Sequence, residues 1–324
     1  MISELVDIII QGGFIEPRDV ACLNIFDSSM GVDTRLLDLF NGANIIREHF
    51  KGRYIDLCSI VNAKSGGCSE DCAYCAQSSI SLADIEHYPL KDSETILKAA
   101  KDAAQNGARR FCIVTGGRKP SERDIERIAE ILPQIITLGL KPCATLGLLN
   151  KAELKRLKDA GLHRFHHNIE SSERFFPNVC TTHSYQDKIK TIIAAKEVGL
   201  SICCGGIFGI GESWQDRIDM AFALRDIGVD SIPINFLTPI SGTPLGIRET
   251  LYPVEALKVI ALFRFILPKI EIRVCGGRMA TLNDFNAFIF MAGADGLLIG
   301  NYLTTIGRAP QHDIRYIKQL GFTI

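Results

Sequence analysis

The chain has 324 residues, 47% of them hydrophobic and 23% charged, with a formal net charge of −1. That length supports a large buried core, and scattered Lys and Arg give no basic face for bulk binding of nucleic acid or membrane. No apolar run approaches the roughly 20 residues that cross a bilayer, and Met1-Ile2-Ser3-Glu4 carries an acid where an export signal carries positive charge, so a soluble cytoplasmic protein is expected.

Residues 1–50 read as helical, an N-terminal extension outside the main body. A strand follows at Tyr54–Val61. Next comes the loop Ser65-Gly66-Gly67-Cys68-Ser69-Glu70-Asp71-Cys72-Ala73-Tyr74-Cys75, with the spacing C-x3-C-x2-C. Three thiolates in one glycine-preceded loop can hold three corners of a cubane iron–sulfur cluster and leave the fourth iron open. A structural zinc site would want a fourth Cys or His close by, and none is present. Eleven cysteines, an odd count in a long chain without an export signal, favour metal ligation over disulfides.

From about residue 92 an amphipathic helical stretch repeatedly ends in Gly and is followed by a short apolar strand. The junctions are Asn106-Gly107, Leu138-Gly139, Ala160-Gly161, Val198-Gly199, Ile227-Gly228 and Ala292-Gly293. Glycine there takes the left-handed conformation that stops a helix. The strands are Arg109–Val114, Lys141–Leu146, His163–Ile169, Ser201–Phe208, Ser231–Leu237 and Asp295–Ile299, with Glu271–Cys275 set off by Pro268 instead. With Tyr54–Val61 this makes eight βα units. Such alternation implies a parallel sheet, and eight units close into an α/β (β/α)8 TIM-type barrel spanning 51–324, an open doubly wound sheet being the alternative.

Cys112, Cys143, Cys203 and Cys275 fall on four different strands at similar depth, so all can point into the barrel at one level. Arg273 shares the face of Cys275 and needs buried acceptors, which a negatively charged cluster or a carboxylate inside the barrel could supply. Cys204 must face the helices; Cys22, Cys58 and Cys180 read as packed core thiols. Higher on the strands, Asn168 and Glu170 share a face with His166, and Asn235 stands seven residues past its helix-stop glycine as Asn168 does. An asparagine both donates and accepts, which suits a ureido ring or a ribose.

The cysteine spacing, with an aromatic before the last Cys, resembles the radical S-adenosylmethionine (SAM) superfamily. That likeness implies SAM on the open iron, Tyr74 near the adenine, and a SAM-contacting segment at Gly205-Gly206-Ile207-Phe208-Gly209-Ile210-Gly211-Glu212, so Gly205, Gly206 and Glu212 join the cofactor set with Asn168, Glu170 and Lys188. By residues alone the glycine segment reads equally as a tight strand-to-helix turn. From Ile55 onward the chain resembles biotin synthases more specifically, through Asn62-Ala63-Lys64-Ser65-Gly66, Arg110-Phe111-Cys112, Cys143-Ala144-Thr145-Leu146-Gly147, His167-Asn168-Ile169-Glu170, Cys203-Cys204-Gly205-Gly206, Pro233-Ile234-Asn235-Phe236-Leu237, Gly242-Thr243-Pro244-Leu245 and Met291-Ala292-Gly293-Ala294.

This resemblance implies a radical SAM barrel that forms a homodimer, with a [4Fe-4S] cluster on Cys68, Cys72 and Cys75 and an auxiliary [2Fe-2S] cluster on Cys112, Cys143, Cys203 and Arg273. It places dethiobiotin near Asn168 and Asn235 and under Thr304-Thr305. A 5′-deoxyadenosyl radical abstracts hydrogen from dethiobiotin, and the auxiliary cluster donates sulfur. A flavodoxin or ferredoxin reductant and iron–sulfur assembly proteins are implied partners; nucleic acid and membrane are not. Cys275 stands where the family usually has Ser or Thr, His166 and Glu170 where Asn and Asp are usual, and Lys188 where Arg is common. A fourth thiolate at Cys275 would suit a four-iron auxiliary cluster, with Arg273 in support. The nearest alternative is a radical SAM enzyme of the hydrogenase-maturase or methylornithine-synthase type, which shares triplet and barrel without needing the deep thiol set. An iron–sulfur carrier or scaffold is the alternative of a different class.

Overall fold

A computed structural model describes residues 2–23, 25, 26, 33–303, 305 and 307–324. Its strands are β1 (Asp56–Lys64), β2 (Arg110–Thr115), β3 (Lys141–Thr145), β4 (Arg164–His166), β5 (Ser201–Cys203, resuming at Gly206–Phe208), β6 (Ser231–Phe236), β7 (Glu271–Val274) and β8 (Gly296–Leu298). All pair in parallel with their neighbours, and Asp56 opposite Gly296 joins β8 back to β1. The ring is therefore the closed eight-stranded parallel barrel expected from the repeat. Between strands run α3 (Ser93–Gln105), α4 (Glu122–Thr137), α5 (Lys151–Asp159), α6 (Tyr185–Glu197), α7 (Trp214–Ile227) and α8 (Pro253–Ile266).

The helix-stop glycines do what their placement implies. Gly107, Gly139, Gly161, Gly199, Gly228 and Gly293 all have φ between +68° and +107°, a region that costs other residues. The N-termini are equally explicit. Asp92, Ser121, Asn150, Ser184 and Ser213 each accept a backbone N–H of the helix they precede.

Two strands depart from the expected form. The ladder of β4 covers only three residues because the chain after it turns toward β5. There Ile169 N donates to Gly205 O and Ile207 N to Glu170 O, with Glu170 at φ +68°. β5 breaks at Cys204-Gly205 because its neighbours come too close for side chains. A Cβ on Gly205 would lie 2.1 Å from Pro233 O, and one on Gly206 2.2 Å from Glu170 O.

Outside the ring lie α1 (Ile2–Ile10), a 3-10 turn at Pro17–Leu23 and α2 (Thr34–Lys51), with α2 packed between α1 and α8. Gly42 of α2 permits that approach, since a Cβ there would sit 2.8 Å from Phe265 Cζ. Covered on both sides, α8 is buried from Ala256 to Ile266. Each of its fully buried aromatics, Phe263 and Phe265, contributes about 1.5–3 kcal/mol of burial. After β7 come α9 (Arg278–Leu282) and, at the chain end, α10 (Pro310–Gln319).

Candidate active site

Parallel register sets the depth of each inward side chain. Cys112 lies opposite Cys143, Cys143 opposite Arg164, Cys203 opposite Ser231, and Arg110 opposite Cys58. A cavity of about 340 Å³ runs up the barrel interior, and Cys58, Cys112, Cys143, Cys203 and Cys275 all line it. Each of these five thiols is 3–6% exposed. Burial pushes Cys58 up to about 11 and Cys143 up to about 12, so without a metal these thiols are neutral.

Cys58 was not singled out by position. It lies six residues past the helix-stop Gly52, whereas Cys112, Cys143 and Cys203 lie four or five past theirs. The usable signal was its place on the first strand, with the same alternation as the rest.

Beneath the thiols the strand starts supply a floor of five ionic groups. Arg273 reaches Asp56 at 2.5 Å and also pairs with Glu271; Arg164 reaches Glu271 at 3.1 Å; Arg110 lies 3.5 Å from Asp56 and 3.7 Å from Glu271. Three guanidinium groups against two carboxylates leave one positive charge facing the thiol layer. Burial pushes Glu271 up, but Arg273, Arg164 and Arg110 outweigh it and hold the carboxyl at about 2. Among the described residues the Nε atoms of Arg110 and Arg273 are buried without a hydrogen-bond partner, Arg110 Nε lying 3.5 Å from Asp56 Oδ1. Unpaired donors and an uncompensated positive charge under five thiols fit an anionic iron–sulfur cluster in this cavity.

A second cavity of about 190 Å³ adjoins the first near the strand C-termini and is lined by Cys68, Cys72, Cys75 and Lys188. Tyr74, Cys75, Gln77, Asn168 and Glu170 line both cavities. Gly66 and Gly67, at φ +78° and +61°, present the cysteine loop, and a Cβ on Gly66 would strike the His87 ring at 2.3 Å. Burial pushes Cys75 up to about 11. Three half-buried thiols beside a polar pocket suit a cluster with one open iron and a chelating ligand on it.

The upper polar layer is rigidly held. Asn168 Oδ1 accepts from Gly205 N at 3.1 Å and lies 2.9 Å from His166 Nε2, leaving Nδ2 for a ligand. Asn235 donates to Gly206 O and accepts from Gly276 N. Tyr74 and Glu170 share the wall common to both cavities, and Lys188 Nζ lies 3.8 Å from Glu170 Oε1. Burial takes His166 down to about 4, so it stands neutral beside them. Thr305 lines the first cavity; Thr304 lies outside the described residues.

Gly205, Gly206 and Glu212 are not among the residues lining either cavity. The two glycines serve the close backbone packing at β5. The Glu212 carboxylate accepts from Gly209 N, Ile210 N and Gly211 N and pairs with Arg217 at 2.7 Å. It shapes the strand-to-helix turn from within.

Comparison with known proteins agrees with this geometry. Residues 63–224 match the Radical SAM superfamily, and residues 233–323 match the Biotin and Thiamin Synthesis associated domain. The chain is 53% identical over 292 residues to a biotin synthase of Thermodesulfovibrio yellowstonii, covering 90% of this chain and 92% of that one. It is 45% identical over 325 residues to a biotin synthase of Pelotomaculum thermopropionicum, covering the whole of both. In fold it resembles methylornithine synthase (TM-score 0.83, 18% identity, covering 98% of this chain and 96% of that one). It likewise resembles the FeFe-hydrogenase maturase HydG from Carboxydothermus hydrogenoformans (TM-score 0.80, 18% identity, covering 99% and 78%). At that identity the two structures speak for the shared barrel alone.

Proposed function

The chain belongs to the biotin synthase family, radical SAM enzymes that insert sulfur into dethiobiotin to make biotin, and on that premise we propose how its own residues divide the work. When bound, the [4Fe-4S] cluster with SAM supplies the 5′-deoxyadenosyl radical that abstracts hydrogen, and the auxiliary iron–sulfur cluster supplies the sulfur.

Cys68, Cys72 and Cys75 hold the [4Fe-4S] cluster. Tyr74, Asn168, Glu170 and Lys188 orient SAM from the wall common to both cavities, with Gly205, Gly206 and Glu212 supporting that wall from behind. Asn235 and Thr305 hold dethiobiotin at the mouth, and Thr304 joins them by the family resemblance alone. Cys112, Cys143 and Cys203 hold the auxiliary cluster. Cys275 is the fourth thiol of that set, which favours a four-iron form; Arg273, already paired with Asp56 and Glu271, supports the site from below. Cys58 faces the same space as a fifth thiol. Apolar walls at Ile60, Val114 and Leu298 keep water from a reacting carbon radical.

The single observation that carries this reading is the ring of buried thiols over a floor with excess positive charge, beside the half-buried cysteine loop. A homodimer, a flavodoxin or ferredoxin reductant, loading by iron–sulfur assembly proteins and a cytoplasmic setting belong to the proposal; among the described residues no helix is long and apolar enough to cross a membrane. So does the division into an extension of 1–50 and a barrel of 51–324, though α2 runs on to Lys51.

The deciding experiment is iron and sulfide analysis with Mössbauer spectroscopy on anaerobically purified protein, native against Cys68→Ala/Cys72→Ala/Cys75→Ala. The variant is expected to keep the auxiliary cluster, and its iron count separates two-iron from four-iron forms. A variant without any cluster would overturn the sulfur-donor assignment of the deep cysteines.

A further inference from the structure

β4 ends at His166, which stands opposite Cys203 in the register with β5 and lines both cavities. The turn that follows draws Asn168 toward β5, where Ile169 N donates to Gly205 O at 3.0 Å and Gly205 N donates to Asn168 Oδ1 at 3.1 Å. A backbone N–H can only donate, so that contact settles which end of the Asn168 amide is oxygen. His166 Nε2 lies 2.9 Å from the same oxygen and must therefore be the ring nitrogen that carries the proton. Burial, with Arg273, Lys188 and Arg164 adding positive charge nearby, keeps the ring neutral. The other nitrogen, Nδ1, is left with a bare lone pair. Among the described residues nothing hydrogen-bonds it. The unpaired Nε2 atoms of His167 and His183 are sealed from open space, and His166 Nδ1 is not.

His166 thus faces the stretch of barrel between the cysteine loop and the deep thiols. Dethiobiotin has to sit there for its carbons to meet both radical and sulfur. Its ureido ring carries one C=O between two N–H groups. Asn168 Oδ1 already takes two donors, so that amide has only Nδ2–H left to offer and answers the carbonyl. Asn235 Oδ1 accepts from Gly276 N at 3.0 Å and keeps one lone pair, enough for one N–H. The second N–H needs an acceptor of its own, because a buried donor left unpaired weakens binding. His166 Nδ1 accepts and, having no proton, cannot donate.

We propose that His166 is a specificity-determining residue for dethiobiotin: its Nδ1 accepts one ureido N–H and rejects a ring that places a lone pair there. This rests on Asn168 and Asn235 holding the ureido ring. The Asn usual at this position in the family has an amide that can turn to present either atom. His166, pinned through Nε2 on Asn168, presents an acceptor alone. A site built to hydrogen-bond an N–H discriminates strongly against an analogue lacking it.

The test is calorimetric titration of full-length protein, reconstituted anaerobically, with SAM present and no reductant, so that nothing turns over. The probes are dethiobiotin and two cyclic carbamates, each with one ureido N–H replaced by a ring oxygen of nearly the same size. Native protein is expected to bind each carbamate about thirtyfold more weakly than dethiobiotin. In His166→Phe, which keeps a flat ring without a lone pair, the penalty for one of the two falls to about threefold or less, with SAM affinity and iron content unchanged. Penalties that are absent from the native protein, or equal in native and variant for both carbamates, overturn the proposal. Weaker SAM binding in His166→Phe with both penalties intact moves the acceptor to a ribose hydroxyl and overturns it as well. Should His166→Phe fail to load its clusters, His166→Asn takes its place: its amide can turn to meet N–H or oxygen, so the penalty is again expected to collapse, and an undiminished penalty overturns the proposal. Native protein that takes up no dethiobiotin overturns the placing of Asn168 and Asn235 at the substrate, a result distinct from equal penalties.

Discussion

Replacing Arg273 by Met removes one guanidinium from the barrel floor and puts an apolar side chain of similar length in its place. In the native protein that group pairs with both Asp56 and Glu271. Breaking a buried ion pair by deleting one partner costs about 3–5 kcal/mol. Each carboxylate keeps a second arginine, however: Asp56 has Arg110 at 3.5 Å, and Glu271 has Arg164 at 3.1 Å. The loss should therefore fall at the lower end, about 3 kcal/mol. Urea unfolding of the metal-free chain, followed by circular dichroism, measures it. A double-mutant cycle with Asp56→Asn isolates the pair and should show coupling of at least about 1 kcal/mol. If Arg273→Met loses less than about 1 kcal/mol, the pairs do not hold the floor, and Arg273 is left free to serve as a direct ligand.

In Gly206→Ala, the new methyl would meet Glu170 O at 2.2 Å and Met220 Cε at 2.6 Å, so β5 must shift; unfolding experiments should show a loss of about 1–3 kcal/mol, and calorimetry weaker SAM binding as Glu170 moves. Asp216, 3% exposed, is held below the usual carboxylate range: burial raises it, but hydrogen bonds from Ser172 and Ser213 outweigh that. A depressed carboxyl stabilises above its unfolded pKa and loses that contribution as pH falls through the folded value. The stability gap between native and Asp216→Asn, about 1–3 kcal/mol at pH 7, should therefore narrow below pH of about 4 in pH-dependent urea melts. Mössbauer spectra of Cys58→Ser and Cys275→Ser, each in the protein lacking the Cys68 triplet, should show four-iron auxiliary content retained in the first and lost in the second; the reverse pattern would make Cys58 the fourth ligand.

The chain by itself determined those features whose cause is local. A C-x3-C-x2-C loop brings its thiols together by covalent spacing alone, and a glycine after an amphipathic helix stops it wherever the helix later packs. The eightfold alternation follows, and with it a closed barrel whose strand ends carry the polar groups. The matching depths of Cys112, Cys143 and Cys203 were legible because each is counted from a helix stop. Closure decided the rest. Cys58 joins the thiol layer only through the register that sets it opposite Arg110 and Leu298. Arg273 meets Asp56 across 217 positions of chain, and Cys180 meets Asp71 across 109. Glu212 reads as a ligand in a glycine-rich run, yet its carboxylate is spent on the turn that the run makes. Such contacts depend on how far each strand slides against its neighbours, and that register is set by the packing of the whole ring rather than by the residues within any one unit.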